Sequence, residues 1–373
     1  MQKIAVFFGG KSCENEISVL TGVFVLNVLD RTKYALYPVY IHTDGNMYTS
    51  SQMTDLSVFK QKDYSKFQRV FFEEGSMYAL NVKKSKIKRL AKIDCALNCC
   101  HGGLGEGGGL SALMSWNEIP FASPDLTSSG IFLDKCVTKL ALRALNVPTV
   151  DYIRVNETDY QKRGAFLLKS IESRLKYPVV VKPAHLGSSI GIAVARCEEE
   201  SKRAIEQAFL LDDRVIVEKY LEGKKDVNCA AYSLNGEIYV SEVEESFGEG
   251  VYTFEDKYVK RSQTEDVSMK SQRTKLLSGE LRDKIRAYTK TVYKRMNLTG
   301  VVRMDYLISE EKAYLCEVNT VPGSLAYYLF CERISDAKTF FGDLVDDAMR
   351  RAQKKKKKLI STGILQTTRW RRK

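Results

Sequence analysis

Histidine is scarce in this chain of 373 residues, which contains only His42, His101 and His185. With so few imidazole groups, a histidine-based catalytic triad or a multi-histidine metal centre is hard to assemble. The nine cysteines are scattered and form no CxxC pair, so the sequence also argues against a zinc site. We expect the thiols to be buried and reduced in a cytoplasmic protein.

Long apolar runs are also missing from the sequence. No run approaches the roughly 18 residues that a membrane-spanning helix requires, so we expect no membrane span. The first residues lead almost directly into the apolar stretch 4–8, without the basic and apolar segments of a secretory signal. These absences favour a cytoplasmic globular protein.

Acidic residues are absent from the segment 351–373, which contains ten lysines and arginines. These ten carry most of the net charge of +12 and leave only +2 for residues 1–350. A nearly neutral body argues against nucleic acid as a partner, and we expect 351–373 to be a solvated, disordered tail. Contact of this tail with anionic lipid or nucleic acid is the alternative.

The first 122 residues alternate between strand and helix patterns, which predicts an open parallel sheet. We expect Ser12 to cap the first helix. Residues 43–90 are polar and irregular with hairpin-like fragments, and we expect them to decorate the edge of this domain. The expected strands are 4–8, 37–41, 94–100 and 119–122, and the expected helices are 17–29 and 110–117.

Strands dominate the rest of the chain. Asn235-Gly236 predicts a type I′ hairpin turn. The polar stretch 246–274 is longer than an ordinary connection, which is typical of a functional or disordered loop. The expected helices are 128–145, 197–211 and 278–296, and the expected strands are 152–155, 177–182, 190–195, 215–221, 300–308 and 312–318.

Two short segments have the composition of a nucleotide site. Lys182 closes a buried strand and precedes a loop of small residues, 183–189, which would let backbone N–H groups approach a polyphosphate. A Walker motif is absent, and a plain hairpin has the same pattern. Glu218 ends another strand with Asp226 shortly after it, a spacing compatible with an adenine edge and a ribose, although this signal is weak by itself.

A third segment has the composition of a metal site. Arg303 and Asp305 share one face of a predicted strand, and Glu317 and Asn319 share one face of the next. If these strands pair, the oxygen atoms of Asp305, Glu317 and Asn319 converge. Hard oxygen ligands favour magnesium held together with substrate phosphates. The alternative is an ordinary solvated face of an antiparallel sheet.

Eight segments of the chain occur in a family-specific order: GGKSCENEIS, HGGLGEGGGL, LDK, VVVKPAHLGSSIGI, VIVEKYL, DKY, RMD and EVNTVPG. Together they resemble the D-alanine–D-alanine ligase family of the ATP-grasp superfamily, over most of residues 1–350. The resemblance implies an α/β fold of the ATP-grasp type. Its expected domains are a Rossmann-like domain at 1–123, a small ATP-grasp subdomain at 124–217 and a C-terminal ATP-grasp subdomain at 218–350.

The resemblance also implies roles for individual residues. Residues expected to bind the first substrate or stabilise the transition state are Glu14, Ser188, Tyr258, Arg303 and Gly323. Residues expected near the second substrate are His101, Tyr328 and Leu329. Positions expected to bind the nucleotide are Lys135, Lys182, Glu218, Lys219, Tyr220, Leu221, Asp226 and Lys257. The implied metal ligands are Asp305, Glu317 and Asn319.

The implied reaction has two steps and uses ATP with Mg²⁺, in two ions, or Mn²⁺ as a substitute. ATP phosphorylates the carboxylate of one D-amino acid, and the amine of a second then displaces phosphate. The family role is peptidoglycan synthesis, with small-molecule substrates and a homodimeric enzyme. The 246–274 loop, with Lys257 and Tyr258, would close over the site and exclude water.

Three positions depart from the family pattern. Gly107 stands where an acid is usual, Tyr328 replaces a serine that holds the second substrate, and the motif at 252–258 is altered. The alternatives are therefore a ligase for D-serine or another second amino acid, or an ATP-binding paralogue without ligase activity. Tyr258, instead of the histidine of ester-forming relatives, favours an amine acceptor.

The segment 103–108 also satisfies the GxGxxG pattern of dinucleotide-binding enzymes. That interpretation depends on one short motif and leaves residues 124–350 unexplained, so the ligase resemblance is preferred.

Overall fold

In the computed structural model, which describes residues 1–245, 275–353 and 360–367, the strands form three sheets along successive stretches of the chain. The strands of the first sheet are β1 (Gln2–Gly9), β2 (Tyr34–Ile41), β3 (Met47–Thr49), β4 (Gln68–Glu73), β5 (Ser76–Asn81), β6 (Lys86–Lys92), β7 (Cys95–Asn98) and β8 (Phe121–Ala122). Those of the second are β9 (Tyr152–Asn156), β10 (Val179–Pro183), β11 (Ala193–Ala195) and β12 (Arg214–Lys219). Those of the third are β13 (Lys225–Leu234), β14 (Glu237–Val240), β15 (Glu244–Glu245), β16 (Lys275–Leu276), β17 (Val301–Ser309) and β18 (Lys312–Asn319).

Helices connect and cover these sheets. They are α1 (Asn15–Val28), α2 (Leu56–Lys60), α3 (Gly103–Glu106), α4 (Gly109–Trp116), α5 (Leu126–Leu133), α6 (Lys135–Ala144), α7 (Glu157–Leu175), α8 (Glu198–Phe209), α9 (Gly279–Arg295), α10 (Ala337–Ala352) and α11 (Ile364–Thr367). Among the helices of the described residues, none is long and apolar enough to cross a membrane. Residues 246–274 and most of the basic tail lie outside the described residues.

The first sheet is only partly parallel. Its strands follow the order β6-β5-β4-β3-β2-β1-β7-β8, and the parallel pairs are confined to β2, β1, β7 and β8. The polar segment 43–90, expected to decorate the edge with hairpin-like fragments, contributes four antiparallel strands that extend the sheet beyond β2. Tight turns such as Glu74-Gly75, where both residues have positive φ, reverse the chain between these strands.

The structure corrects two predictions about helix ends. Glu14, and not Ser12, occupies the N-cap position of α1, while the Ser12 hydroxyl donates to the carbonyl of His101 at 2.7 Å. The helix expected at 128–145 is interrupted at Asp134, which ends α5 and caps α6. Its Oδ1 accepts from the backbone N–H of Cys136 at 2.8 Å and of Val137 at 3.2 Å.

Helix α7 was absent from the sequence-based prediction. The helix is interrupted at Arg163, which has non-helical backbone angles and precedes Gly164. The apolar periodicity that predicts a helix is clear only in the part after this interruption. The buried residues Leu168, Ile171 and Leu175 then pack against the second sheet.

Two antiparallel hairpins of the third sheet agree with the sequence-based predictions. The hairpin between β13 and β14 turns at Asn235-Gly236, with φ of 55° and 88°, as the type I′ prediction requires. Strands β17 and β18 are antiparallel and bring Asp305 opposite Glu317.

Helix α10 completes the core of the first sheet. Phe341 and Val345 of α10 share one hydrophobic cluster with Val6 and Phe8 of β1, so this late helix stabilises the first strand of the chain. All nine cysteines are free thiols, and most of them are buried, as expected. The domain limits predicted from the sequence stay a prediction; the limit between 217 and 218 falls inside β12.

Candidate active site

The first part of the site is the contact between Glu14 and Ser188. Glu14 caps α1, and Ser188 belongs to residues 184–189, which follow β10 and are called here the 184–189 loop. The Ser188 hydroxyl donates to Oε1 of Glu14. A Cβ atom at Gly102 or Gly187 would lie only 2.7 or 2.8 Å from Oε2 of Glu14, so a side chain at either position would displace this carboxylate. Two residues predicted to bind the first substrate therefore meet.

His101 connects three segments next to this contact. It is 4% exposed, and burial lowers its pKa to about 4, so the ring is neutral at physiological pH. Nδ1 lies 2.7 Å from the carbonyl of Val321, which can only accept, so Nδ1 carries the proton. Nε2 then accepts from the hydroxyl of Thr21 at 2.8 Å. Thr21 also accepts from the N–H of Ser324 at 3.1 Å. His101 thus positions the chain that follows β18.

That chain forms a left-handed turn without glycine. Ser324, Leu325 and Ala326 have φ of 50°, 51° and 49°. Left-handed backbone costs roughly 1–2 kcal/mol per residue. Burial of Leu325 and Ala326 in the core and the bond from Ser324 to Thr21 offset this cost. Strain held in place in this way is typical of a functional site.

Arg303 joins the metal ligands to the end of this turn. Its Nε and Nη2 donate to the two carboxylate oxygens of Asp305, at 2.7 and 2.8 Å. Its Nη1 donates to the Tyr328 hydroxyl at 3.1 Å. Tyr328 therefore lies inside the site, beside the predicted transition-state arginine. Gly323 begins the turn, whereas the side chain of Leu329 is 8% exposed and belongs to the hydrophobic core.

The predicted metal ligands are adjacent on β17 and β18. Asp305 lies opposite Glu317, and the amide of Asn319 donates to Oδ2 of Asp305 at 3.0 Å. Glu317 is paired with Lys135, whose Nζ lies 3.1 Å from Oε1. A cluster of carboxylate and amide oxygens with nearby cations fits a hard ion such as Mg²⁺.

Two lysines on different elements face the nucleotide side of the site. Lys135, the first residue of α6, donates from Nζ to the carbonyl of Leu186 at 2.5 Å and so joins the 184–189 loop to Glu317. Lys182, in β10, lies 2.6 Å from Oε2 of Glu218. Lys135 and Lys182, two of the three lysines expected to bind the nucleotide, are therefore near the loop of small residues.

Glu218 is a buried carboxylate between two ammonium groups. Burial raises its pKa, but Lys139 and Lys182 outweigh burial and hold the pKa at about 2. The Nζ of Lys139 lies 2.9 Å from Oε1 of Glu218 and also donates to the Thr149 hydroxyl at 2.8 Å and the Val150 carbonyl at 3.0 Å. Glu218 is thus ionised and its carboxylate is fully paired.

The remaining nucleotide positions lie at the end of β12 and the start of β13. The backbone N–H of Lys219 donates to Asp151 and that of Tyr220 to Pro178, at 3.0 and 3.2 Å, and Leu221 follows directly. Asp226 is ion-paired with Lys224. The predicted positions Lys257 and Tyr258 lie outside the described residues.

Sequence reasoning missed three residues of the site, namely Lys139, Thr21 and Glu106. Lys139 is four residues after Lys135, a spacing that places both on one face of a helix, and this signal was available in the sequence. Glu106 accepts from the N–H of Gly102 at 2.8 Å and of Val321 at 3.2 Å. Burial, with a contribution from Glu14, raises the pKa of Glu106 to about 7.

The departure at Gly107 has a local cause. A Cβ atom at this position would lie 2.6 Å from Cδ2 of Leu133 and 3.0 Å from the carbonyl oxygen of Gly103. An acidic side chain, which is usual at this position in the family that the sequence resembles, would displace the Leu133 side chain and crowd the carbonyl of Gly103.

Family models confirm the resemblance along nearly the whole chain. The model described as D-ala D-ala ligase N-terminus matches residues 3–124, and that described as D-ala D-ala ligase C-terminus matches residues 141–350. The chain is 32% identical over 371 residues to the D-alanine–D-alanine ligase of Thermosipho melanesiensis, with 98% of each chain covered.

Solved structures give the same result for the fold. The D-alanine–D-alanine ligase of Helicobacter pylori is similar with a TM-score of 0.75 and 26% identity, over 93% of this chain and 98% of that one. The VanG D-Ala:D-Ser ligase of Enterococcus faecalis is similar with a TM-score of 0.72 and 24% identity, over 94% of this chain and 99% of that one. The second likeness shows the fold alone.

Proposed function

The chain belongs to the D-alanine–D-alanine ligase family, and we propose that it joins two D-alanine molecules at the expense of ATP, for peptidoglycan synthesis. The observation that carries this proposal is the position of Lys135. Its Nζ contacts both Leu186, in the loop that leads to Ser188 and Glu14, and the candidate metal ligand Glu317. A substrate carboxylate beside Glu14 would thus lie next to the phosphates.

The first step is phosphoryl transfer to a carboxylate. Glu14, oriented by Ser188, binds the ammonium group of the first D-alanine. A carboxylate oxygen then attacks the γ-phosphorus of ATP, the bond to ADP breaks, and D-alanyl phosphate forms. Lys135 and Lys182 neutralise charge on the phosphates, so positioning and electrostatics supply most of the catalysis.

The metal would be two Mg²⁺ ions, or Mn²⁺ in their place. It would be held by Asp305, Glu317 and Asn319. Their oxygen atoms and their adjacent positions support this assignment. When bound, the metal supplies positive charge to the phosphate oxygens. Arg303, which donates to both oxygens of Asp305, orients this carboxylate.

The second step forms the peptide bond. The amine of the second D-alanine attacks the carbonyl carbon, the carbon–oxygen bond to phosphate breaks, and inorganic phosphate leaves with the amine losing a proton. Arg303 and the N–H of Gly323 stabilise the oxyanion that forms. His101 is neutral with both ring nitrogens engaged, so it orients the turn that carries Gly323.

The same proposal covers the nucleotide pocket and the assembly. The adenine would be bordered by Glu218, Lys219, Tyr220 and Leu221, and the ribose by Asp226. Lys257 and Tyr258 would cover the closed site. Tyr328 would lie toward the second substrate, and Leu329, whose side chain is in the core, would contribute only its backbone. The substrates are small molecules, and the enzyme would act as a homodimer in the cytoplasm.

One observation supports a second candidate acceptor. The hydroxyl of Tyr328 accepts from Arg303 at 3.1 Å, so a large side chain occupies the side of Arg303 where the second substrate would bind. A ligase that accepts D-serine or another D-amino acid in second place would use this altered pocket. ATP and the first D-alanine would bind in the same way.

Product analysis tests both candidates. The protein is incubated with ATP, Mg²⁺ and mixed D-amino acids, and the dipeptides are identified by mass spectrometry. D-alanyl-D-alanine as the main product supports the proposal, and another dipeptide supports the second candidate. Lys182→Ala and Glu317→Ala should each abolish turnover, whereas the exposed Lys202→Ala should not. Turnover in either of the first two variants would refute the site assignment.

A further inference from the structure

His185, at the start of the 184–189 loop, binds one carboxylate through both its backbone and its ring. Its backbone N–H donates to Oδ2 of Asp212 at 2.7 Å, and its Nδ1 donates to Oδ1 of the same residue at 2.9 Å. Its Nε2 lies 3.5 Å from Oδ2 of Asp134. The imidazole therefore spans two carboxylates that belong to different elements.

The two carboxylates are themselves fixed. Asp134 caps α6 and forms an ion pair with Arg214. Asp212 accepts from the backbone N–H of Arg214 at 3.1 Å. The side chains of Asp134 and Asp212 are only 7% and 5% exposed, so their charges need compensation. Arg214 supplies one positive charge, and a protonated His185 supplies the second.

This cluster lies directly behind the predicted phosphate contacts. Lys135 follows Asp134, its backbone N–H donates to the carbonyl of Ala184 at 3.0 Å, and its Nζ donates to that of Leu186. The start of α6 and the 184–189 loop are thus joined on both sides of His185. Movement of the loop away from Asp134 would separate the loop amides from Lys135.

We propose that His185 is a positioning residue for ATP, which as an imidazolium holds the 184–189 loop against Asp134 and Asp212. In this way it sets the distance between the loop amides and the ammonium group of Lys135. The inference rests on the proposed function, because it assigns the loop and Lys135 to the phosphates of ATP. His185 itself does not touch the nucleotide in this arrangement.

The charges around His185 favour the protonated ring. The charged groups nearest to it are Asp134 at the start of α6, Asp212 and Asp213 before β12, and Arg214 in β12, which pairs with Asp134. The ammonium group of Lys135, the residue after Asp134, contacts the Leu186 carbonyl instead. Hydrogen bonds to Asp134 and Asp212 raise the pKa of His185 to about 9, against the opposing effect of burial. The contribution of the imidazolium is therefore complete below the ordinary pKa of 6.5 and is lost as the pH rises through about 9.

The test compares the full-length wild type with His185→Gln and His185→Arg. The Kd of ATP is measured by calorimetry without amino acids, and the KM values of ATP and D-alanine are measured from about pH 7.5 to about pH 10. His185→Gln removes the charge and should weaken ATP binding about tenfold at the lower pH, as expected for loss of one charge-assisted hydrogen bond. The KM of D-alanine should change less than about twofold.

The pH dependence separates positioning from simple structural support. ATP binding by the wild type should weaken between the two pH values, while His185→Gln should show no such step. His185→Arg keeps its charge throughout, so it should bind ATP more tightly than His185→Gln and report the background effect of pH on the lysines.

The inference is wrong if His185→Gln binds ATP as the wild type does, or if wild type and His185→Arg share one pH profile. A wild type that binds ATP but makes no dipeptide from D-alanine would refute the proposed acceptor, yet the effect of His185 on the Kd of ATP would still be measured. The two failures are therefore distinguishable.

Discussion

The ammonium group of Lys139 lies 2.9 Å from Oε1 of Glu218, and both side chains are almost completely buried. The other carboxylate oxygen of Glu218 is 2.6 Å from Lys182. If Lys182 moves toward an ATP phosphate, Lys139 keeps the buried carboxylate paired. Lys139 therefore allows Lys182 to change partners without leaving an uncompensated charge in the interior.

Replacing Lys139 tests this arrangement. Lys139→Met leaves Lys182 as the sole cation on Glu218, so Lys182 should be held more tightly by the carboxylate and less available to ATP. We expect the free energy of unfolding to fall by about 3 kcal/mol, at the lower end for a broken buried ion pair. The KM of ATP should rise, and the KM of D-alanine should not. Urea unfolding and steady-state kinetics measure these quantities.

The matched control for Lys139→Met is Lys202→Met, on the exposed face of α8. It should leave both stability and kinetics unchanged. Adding Glu218→Gln to Lys139→Met should recover part of the lost stability. The double variant has a neutral amide in place of the buried carboxylate that had lost one of its two cations. If the loss of unfolding free energy in the double variant equals the sum of the losses in the two single variants, the pairing argument is wrong.

Glu106 predicts a pH dependence of stability in the ligand-free protein. Burial, followed by the charge of Glu14, raises its pKa from 4.5 to about 7. Between these two values the unfolded chain ionises while the folded protein stays protonated, so stability falls as the pH rises. Glu106→Gln stays neutral and can still accept a hydrogen bond. Its stability should therefore lack the fall that ionisation of Glu106 causes as the pH rises. Urea midpoints between about pH 4.5 and about pH 7 measure the difference.

The exposed Glu172→Gln is the control for Glu106→Gln, since it removes a carboxyl without this environment. Its urea midpoints should follow those of the wild type across the pH range. Parallel curves for Glu106→Gln and the wild type would show that Glu106 does not titrate in this window.

Much of the candidate site could be predicted because its residues lie on regular strands. Alternation along β17 and β18 placed Asp305 and Glu317 on matching faces, and the pairing register then brought them together. The loop of small residues after Lys182 was also visible in sequence. Local pattern and glycine content are enough for such features.

Long-range contacts could not be predicted in the same way. Thr21 meets Ser324 only because the turn after β18 docks on α1, and that turn uses left-handed backbone at residues other than glycine. The conformational preferences of these residue types do not predict a left-handed backbone, so no signal for this turn was present in the sequence. Within 43–90 the sequence predicted only hairpin-like fragments, because β3 has three residues and β6, at the edge of the sheet, is polar and largely exposed.

Tyr328 should control the choice of second substrate. Its hydroxyl accepts from Arg303, and its ring occupies space next to the turn that begins at Gly323. Tyr328→Ser should enlarge the pocket and raise kcat/KM for a bulkier acceptor relative to D-alanine by about tenfold. Competition between D-alanine and D-norvaline, followed by mass spectrometry of the dipeptides, measures this ratio.

Tyr328→Phe separates the hydroxyl from the volume of the ring. It should keep the acceptor preference of the wild type while lowering kcat, because Arg303 loses a fixed partner. The KM of ATP should be unaffected in both variants. An acceptor profile that is identical in wild type and Tyr328→Ser would place the second substrate elsewhere.

Thr21 should support the second substrate without touching it. Its hydroxyl accepts from the N–H of Ser324 and donates to Nε2 of His101, so Thr21→Val leaves two buried polar groups unpaired at almost the same volume. We expect a loss of about 2 kcal/mol in unfolding free energy. The turn that carries Gly323 and Tyr328 should loosen, so the KM of the second D-alanine should rise while that of ATP stays constant. Thr21→Ser keeps the hydroxyl and should restore both stability and KM. If Thr21→Ser is as impaired as Thr21→Val, packing of the methyl group, and not the hydrogen-bond chain through His101, holds the turn in place.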